Sequence, residues 1–385
     1  MKTIGRSSAG IAAVVTATAG LLAGSGALAT SASASTTFLG GLTHNTLVAS
    51  TVPASNGDLN PYGVAVVPDS TGDLVQGDVL VSNFNNSANL EGTGTTIVQV
   101  SPGGAVTQFA GLNGHLAGCP GGGVGLTTAL VVLRSGWVIV GSLPSTDGLP
   151  DGLDGSGCLI VLDSHGNVRE TFSGHGINGP WDMTALDLGG ITELFVTNVL
   201  NGITPPPPGS TANSTANQGT VLRILITSAP NVLPRRVLTT KIGSGFAEST
   251  DPTALIIGPT GVGLGRNGTL YVADTLNNRI AAIPNAVLRF SDDGTGQTVS
   301  ENGPNGPLQG PLGLAIAPNG DILTVNGGNP NIVEVTPGGQ VVANEEIDLS
   351  TPGGAAGDLF GLAVGLGGRS VFYVNDGNNA LYKLS

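Results

Sequence analysis

A sequence repeat constrains the fold of this chain more than any other feature. The segment Gly261–Ile280, GVGLGRNGTLYVADTLNNRI, recurs in five weaker copies. Each copy contains an apolar stretch, a Gly turn, a second apolar stretch that ends near an Asn, Asp or Ser, and a third strand. A period of about fifty residues is typical of proteins built from one repeated supersecondary unit. The chain is therefore expected to fold as an array of six such units.

The composition of each copy predicts strands rather than helices. Short runs of Val, Ile, Leu and Tyr lie between Gly, Asn, Asp and Pro residues, which favour tight turns. Pairs such as Asn319-Gly320 supply the positive φ angles that hairpin turns require. Four antiparallel strands repeated around an axis form a β-propeller, an architecture that protects sheet edges.

The copy count predicts an all-β fold, a six-bladed β-propeller with four-stranded antiparallel blades. A seventh blade hidden among the weaker copies is the alternative. The last copy ends at its third strand, at Ser385, and residues 46–51 form an isolated strand pattern before the first copy. We expect this N-terminal strand to be the outer strand of the last blade and so to close the ring.

The Gly261–Ile280 segment resembles the NHL repeat, whose pattern includes Tyr-Val-Ala-Asp followed by Asn-Asn-Arg-Ile. The other copies fit this pattern loosely, and Arg279 has no counterpart in them. The resemblance implies a propeller used as a binding platform. A more distant similarity is to the gluconolactonase and senescence-marker group, which implies a divalent metal over the channel and lactone hydrolysis. The Asn ligand of that group is absent at Pro311–Leu314.

Composition excludes one class of partner. The formal net charge is −13, with only 13 Lys and Arg residues, so no basic surface is available to neutralise phosphates. Nucleic acid is not an expected partner. The 63 Gly residues agree with a chain that is rich in turns.

The N-terminal segment has the pattern of a secretory signal peptide. Lys2 and Arg6 precede an apolar, Ala-rich stretch, and small residues around Ala29 form a cleavage site. Cleavage after Ala34 fits equally, and an uncleaved membrane anchor is the alternative. We therefore predict a leader over residues 1–29, one propeller domain over residues 30–385, no transmembrane segment in the mature chain, and secretion.

Two cysteines, Cys119 and Cys158, are predicted to form a disulfide, because an even number of cysteines in an exported protein favours pairing. Both precede strands of the second copy, in connections that emerge on the same face of a propeller. Two free buried thiols are the alternative.

Amide or carboxylate side chains end the second strand of most copies, and these ends meet at one face of a propeller. The residues are Asn83, Asn198, Asp274, Asn326 and Asp376. Oxygen ligands of this kind suit Ca²⁺ or another divalent cation, with Asp274, Asn326 and Asp376 as the predicted metal ligands. The alternative is that each side chain caps its own turn, and that Asp274 pairs with Arg279.

Long insertions are expected to lie on the same face, where propellers carry their binding loops. Asn83 and Asn85 begin an Asn-rich loop suited to hydrogen bonds with a sugar or peptide, or simply to a solvated turn. A second insertion contains Asp147, Asp151 and Asp154, whose spacing does not match the calcium-binding EF-hand loop.

His175, Trp181 and Asp182 form the local group that most resembles a site. His175 and Asp182 are candidate acid–base residues, and Trp181 together with Asn83, Asn85 and Asn198 is a candidate ligand contact. Packing of Trp181 between blades is the alternative.

These observations predict a secreted binding or scaffold module for a protein, peptide or glycan. The alternative is a metal-dependent hydrolase or lyase with its site at the channel mouth.

Overall fold

The repeats fold into a ring of antiparallel sheets. The computed structural model describes residues 37–112, 116, 118–120, 123–143, 145, 156–203, 214–251, 254–303, 305–348 and 357–385. Strands within these ranges form six sheets, which confirms the predicted all-β, six-bladed propeller. The predicted leader and the loop from Asp147 to Asp154 lie outside the described residues. No helix in the described ranges has the length and apolar character needed to cross a bilayer.

The first three blades follow the 3₁₀ turn Leu39–Gly41 and strand β1 (Asn45–Ser50). Blade 1 consists of β2 (Leu59–Val66), β3 (Val79–Asn85), β4 (Thr96–Val100) and β5 (Val106–Gly111). Blade 2 consists of β6 (Leu130–Val132), β7 (Val138–Ser142), β8 (Cys158–Leu162) and β9 (Val168–Ser173). Blade 3 consists of β10 (Gly179–Asp187), β11 (Ile191–Val199), β12 (Thr215–Thr227), β13 (Arg235–Asp251) and β14 (Leu255–Ile257).

The last three blades are more regular. Blade 4 consists of β15 (Pro259–Leu264), β16 (Leu270–Asp274), β17 (Arg279–Ile283) and β18 (Gln297–Glu301), with 3₁₀ turns at Thr275–Asn277 and Ala286–Leu288. Blade 5 consists of β19 (Pro311–Ile316), β20 (Ile322–Asn326), β21 (Asn331–Val335) and β22 (Val341–Glu346). Blade 6 consists of β23 (Leu359–Val364), β24 (Val371–Asn375) and β25 (Ala380–Leu384).

Strand β1 is the outer strand of the blade 6 sheet. It pairs antiparallel with β25, with Leu47 opposite Tyr382 and Ala49 opposite Leu381. Blade 6 therefore combines strands from both ends of the propeller sequence, and it reaches four strands only through this pairing.

Neighbouring blades are joined by buried hydroxyl groups as well as by apolar packing. The Ser82 hydroxyl of blade 1 donates to the Thr127 carbonyl at 2.5 Å, and the Thr197 hydroxyl of blade 3 donates to the Thr260 carbonyl at 2.6 Å. Both hydrogen bonds are buried, and a buried donor and acceptor that satisfy each other fix the relative position of the two segments. These contacts hold the inner strands in register around the central channel.

Blade 3 departs from the predicted four-strand pattern. Its sheet has five strands, and β12 and β13 span 13 and 17 residues. The sequence also predicts a third long insertion over residues 199–219, and the end of this prediction is wrong, because the chain is already in strand from Thr215. Pairing with β13 gives this stretch partners that the local sequence pattern did not reveal.

The predicted disulfide between Cys119 and Cys158 is confirmed, with a Cα–Cα distance of 5.3 Å. It attaches the segment before blade 2 to the start of β8, and both cysteines are buried in a core cluster shared by blades 1 and 2.

Candidate functional site

A cavity of about 860 Å³ opens at the mouth of the central channel, on the face where the inner strands begin. Its floor is formed by Trp181 of β10, Leu312 of β19 and Phe360 of β23. These residues hold the same position in their blades, because each follows the inner-strand residue that pairs with an Asn near the end of the second strand; the pairs are Pro180–Asn198, Pro311–Asn326 and Leu359–Asn375. The repeat therefore directs one side chain from each of these three blades towards the mouth.

Aromatic rings make this floor rigid. The rings of Tyr62 and Trp181 meet edge to face at 5.8 Å, and those of Tyr62 and Phe360 meet at 5.4 Å. The Trp181 indole N–H donates to the Tyr62 hydroxyl at 3.0 Å. Trp181 is only 1% exposed, so it packs between blades and also lines the pocket. Such contacts contribute about 0.5–1.5 kcal/mol per aromatic pair beyond burial.

An arm of blade 3 forms one wall of the pocket. The extended hairpin of β12 and β13 leads to β14, and Ala254 and Ile257 from this segment line the cavity. Leu255 and Ile256 are buried in the core cluster that also contains Trp181. Leu255 has a φ of 62°, a conformation that costs a residue of this size about 1–3 kcal/mol and persists only where surrounding packing enforces it. The arm is therefore anchored to the floor.

The rim of the pocket is rich in carboxylates. Asp251, Asp358 and Asp376 line it, and the described lining residues include no Lys, Arg or His. Burial, followed by the charges of Asp358 and Glu91, raises the pKa of Asp376 to about 8. Burial, followed by the neighbouring charge of Asp348, raises the pKa of Asp358.

A fourth carboxyl lies beside the rim. Burial raises the pKa of Glu91 to about 7; a hydrogen bond from Asn85 opposes this shift, and the charge of Asp251 adds to it. Desolvation and like-charge repulsion both disfavour ionised carboxylates. This side of the pocket therefore favours a proton or another cation.

The two predicted ligand contacts in the Asn-rich loop have structural partners. Asn83 is fully buried and donates to the Thr51 carbonyl at 2.8 Å. Asn85 donates to Glu91 at 2.8 Å and to Asn89 at 3.1 Å. Of these residues, only Asn89 is among the described lining of the pocket.

Asn198 and Asn326 each bind the loop that leads into their own blade. The Asn198 amide oxygen accepts from the Asn178 and Gly179 backbone N–H groups at 2.9 and 3.0 Å. The Asn326 amide oxygen accepts from the Gln309 N–H at 3.1 Å. These are the contacts of a cap, and they occupy oxygens that a cation would need.

Asp274 is also held by its own blade. Arg279 donates to its carboxylate at 2.7 and 3.0 Å, and Asn277 donates at 3.0 Å. Of the three predicted metal ligands, only Asp376 lines the pocket. Within the described ranges, no three His, Cys, Asp or Glu side chains form a group able to hold a metal ion.

The structure separates His175 from Asp182. His175 is exposed in the turn between β9 and β10, with a φ of 56°. Asp182 faces the channel below the aromatic floor, where it accepts from the Met183 N–H at 2.7 Å and the Val262 N–H at 3.3 Å. No hydrogen bond or ion pair links the two described side chains.

Sequence reasoning missed most of the floor and the rim. Tyr62, Leu312 and Phe360 each precede the Gly of an inner strand, so their shared place in the repeat was the available signal. Asp358 offered no comparable signal, because it lies in the loop before β23, outside the repeated pattern.

Comparisons with solved structures support the fold. The chain is similar to regucalcin, a calcium-binding protein from Agrobacterium tumefaciens, with 14% identity over 88% of this chain and 94% of that chain, and a TM-score of 0.54. A gluconolactonase from Xanthomonas campestris has 14% identity over 85% of this chain and 86% of its own, with a TM-score of 0.50.

A third similar structure is the PQQ-bound aldose sugar dehydrogenase from Streptomyces coelicolor, with 14% identity, coverage of 89% and 98%, and a TM-score of 0.50. No family model and no curated protein matches the chain. The expected likeness to gluconolactonase-type propellers therefore holds for the fold, and the NHL assignment stays a prediction.

Proposed function

We propose that this protein is a binding propeller whose mouth pocket takes a compact ligand with an apolar body and a basic group. The observation that carries the proposal is the pairing of an aromatic floor with a carboxylate rim that has no basic residue among its described members. A volume of about 860 Å³ lies within the usual range for ligand pockets, about 300–1,000 Å³.

The floor favours an apolar or aromatic group. Trp181, Leu312 and Phe360 present hydrocarbon at the base of the cavity. Each 100 Å² of apolar ligand surface removed from water there contributes about 2.5 kcal/mol. The floor is fixed by contacts within the protein, so little ordering is required on binding.

The rim favours a cation. Burial, followed by repulsion from neighbouring carboxylates, raises the pKa of Asp376 to about 8, and a basic group beside Asp376 and Asp358 offsets both effects. Affinity for such a ligand should therefore increase as the pH rises through about 8. The acidic chain, at −13, attracts cations over longer distances as well.

A short peptide with neighbouring aromatic and basic side chains meets both requirements. If the predicted leader directs the protein outside the cell, the ligand is an extracellular peptide or a basic loop of another protein. The proposed function is therefore recognition of such a peptide or loop, and the propeller is the rigid support for the pocket.

The test uses two capped tripeptides, Ala-Phe-Lys and Ala-Phe-Glu, titrated calorimetrically at pH 8.5. We expect the Lys peptide to bind at least about tenfold more tightly, equivalent to about 1.4 kcal/mol. Asp358→Asn combined with Asp376→Asn should remove this preference. Asp69→Asn, a change to an exposed carboxylate in the loop between β2 and β3, is the matched control. Equal binding of the two peptides, or preference for the Glu peptide, would refute the proposal.

A second candidate function is hydrolysis of a lactone or ester. A carboxyl with a pKa of about 8 keeps its proton at neutral pH, so Asp376 is suited to protonate a leaving oxygen. The similar structure of a gluconolactonase makes glucono-1,5-lactone a reasonable probe. The predicted Ca²⁺ ligands do not converge on one ion, so no metal-dependent step is assigned. Loss of lactone hydrolysis in Asp376→Asn, with activity retained in Asp69→Asn, would support this candidate.

A further inference from the structure

Another cavity, the lower cavity, has a volume of about 370 Å³ and lies at the end of the channel opposite the mouth pocket. Leu264 and Ile316, the last residues of inner strands β15 and β19, form part of its wall. Because these strands begin at the mouth, their last residues mark the opposite face. The turns that follow them supply Arg266 and Pro318, and blade 6 supplies two glycines.

The turns of blades 5 and 6 meet closely at the lower cavity. A Cβ atom added at Gly368 would lie 2.5 Å from the Pro318 ring, so the two turns pack together without room for a side chain. A Cβ atom added at Gly367 would meet no atom within 4 Å, so the chain there faces open space. The lower cavity is therefore bounded by packed turns and is open to a ligand.

Arg266 is the only charged residue among the described residues that line the lower cavity. Its side chain is exposed, and none of the described ion pairs involves it. The same is true of Arg369, which directly follows Gly368. The blade 6 turn is one residue longer than the blade 4 turn, and Arg369 lies in this longer turn, before β24. Two free guanidinium groups therefore flank the turn of blade 5.

The carboxylates at the blade 5 turn are enclosed by the protein. The Asn319 amide donates to Asp321 at 2.9 Å and to Glu334 at 3.0 Å. Asp321 is only 6% exposed, and Glu334 is fully buried. Glu334 also accepts from the Phe38 and Leu39 N–H groups at 2.8 and 2.9 Å. This turn therefore presents no exposed acid between the two arginines.

Blade 2 has an arginine at the same turn position as Arg266, but in different surroundings. Arg134 follows Leu133, and Arg266 follows Gly265; in each turn the carbonyl of the preceding residue accepts the hydrogen bond that closes the turn. The Arg134 backbone N–H donates to the Asp187 carboxylate at 2.7 Å, so an acid lies beside that turn. Arg134 is not among the described lining of the lower cavity, which makes it a matched control.

We propose that the lower cavity binds a short dicarboxylate, with one carboxylate on Arg266 and the other on Arg369. A guanidinium presents a planar set of N–H donors that matches a carboxylate. The volume lies within the usual range for ligand pockets, about 300–1,000 Å³. The charge preference is opposite to that of the mouth pocket, whose described lining has carboxylates and no basic residue. A dicarboxylate is therefore repelled at the mouth and attracted at the lower cavity.

Binding should require both arginines, because each contact is weak on its own. An ion pair exposed to water changes an equilibrium constant by about fivefold at most. The acids of the mouth pocket have little effect on this site. An inner strand of six residues spans about 20 Å, whereas the Debye length is about 10 Å at about 0.1 M salt.

The experiment is calorimetric titration of the full chain at about 0.1 M salt and neutral pH with malonate, succinate, glutarate and adipate. The monomethyl ester of the best ligand is the singly charged analogue. We expect the dicarboxylate to bind about fivefold more tightly than its ester. Arg266→Gln and Arg369→Gln should each reduce its affinity by about fivefold, while Arg134→Gln and Asp376→Asn should leave it unchanged.

A second measurement locates the ligand without any substitution. In ¹⁵N-labelled wild-type protein, the best dicarboxylate should shift the amide signals of Gly367 and Gly368 and leave that of Gly136, in the blade 2 turn, in place. Absence of binding, equal affinity for the ester, an effect of only one of the two arginine variants, or an equal loss in Arg134→Gln would each overturn the proposal. Inorganic phosphate that binds as tightly as the best dicarboxylate would also overturn it, because the site would then recognise charge alone. The mouth-pocket function does not depend on this result.

Discussion

Substitution of Gly361 by Ala tests the packing that joins blades 1 and 6. A Cβ at this position would lie 1.7 Å from the Tyr62 carbonyl oxygen and 2.9 Å from a methyl group of Val64. The closest atom belongs to the backbone, so rotation of a side chain cannot relieve the clash. The inner strand of blade 1 must move outward by more than an ångström.

The expected cost follows from the contacts that move. Overpacking of a buried site costs about 1–3 kcal/mol, and a backbone clash belongs at the upper end. Displacement of Tyr62 also breaks its 3.0 Å hydrogen bond with Trp181, a loss of about 1 kcal/mol. The unfolded Ala variant has less chain entropy than the unfolded wild type, and this difference stabilises the folded variant by about 0.4–1 kcal/mol. The net destabilisation is therefore about 3 kcal/mol.

Differential scanning calorimetry measures this effect. A propeller of about 350 residues has an unfolding entropy of about 0.7 kcal/mol/K, so a loss of 3 kcal/mol lowers Tm by about 4 °C. Gly190→Ala is the matched control, because a Cβ there meets no atom within 4 Å. A Tm for Gly361→Ala equal to that of the wild type would refute the description of this junction.

Three further predictions concern the disulfide, the buried ion pair and the mouth carboxyl. Replacing both Cys119 and Cys158 by Ala removes a crosslink with a sequence separation of 39, and chemical denaturation should give a loss of about 4 kcal/mol. Unchanged stability would contradict that estimate. Asp274→Ala leaves the Arg279 guanidinium buried without its carboxylate, so stability should fall by about 3–5 kcal/mol, while replacing both residues by Leu and Met should recover much of the loss. A double variant no more stable than the single one would argue against this cause. Asp376 has a folded-state pKa of about 8 and an unfolded value near 3.9, so the native state retains a proton and stability falls as the pH rises between these values. Thermal unfolding at several pH values should show a smaller fall in Asp376→Asn; an equal fall would exclude this group as its cause.

The fold was predictable because its determinants repeat. The runs Gly313–Ala317 and Ile322–Asn326, for example, together contain the strand and turn pattern of one copy within about fifteen residues. The local sequence was therefore sufficient to predict the strands of a blade. The ion pair between Asp274 and Arg279 could also be predicted from the sequence, because the two residues lie only five positions apart.

The mouth pocket was less predictable because its parts come from distant segments. Tyr62 and Trp181 are separated by 119 positions, and Phe360 comes from the last blade. The blade 3 arm depends on pairing between β12 and β13, which no local motif specifies. The strand-end Asn residues were predicted as ligands, yet the amide oxygens of Asn198 and Asn326 accept hydrogen bonds from backbone N–H groups.

Trp181 emission tests the central claim, ligand binding at the mouth pocket, most directly. The chain has two tryptophans, so Trp137→Phe leaves Trp181 in the floor as the only indole. Titration of this variant with capped Ala-Phe-Lys at pH 8.5 should give a saturable change in emission. The change should be much weaker with Ala-Phe-Glu, and Asp358→Asn combined with Asp376→Asn should remove it. Emission that does not respond to the Lys peptide, or that responds equally to both peptides, would contradict the proposed function.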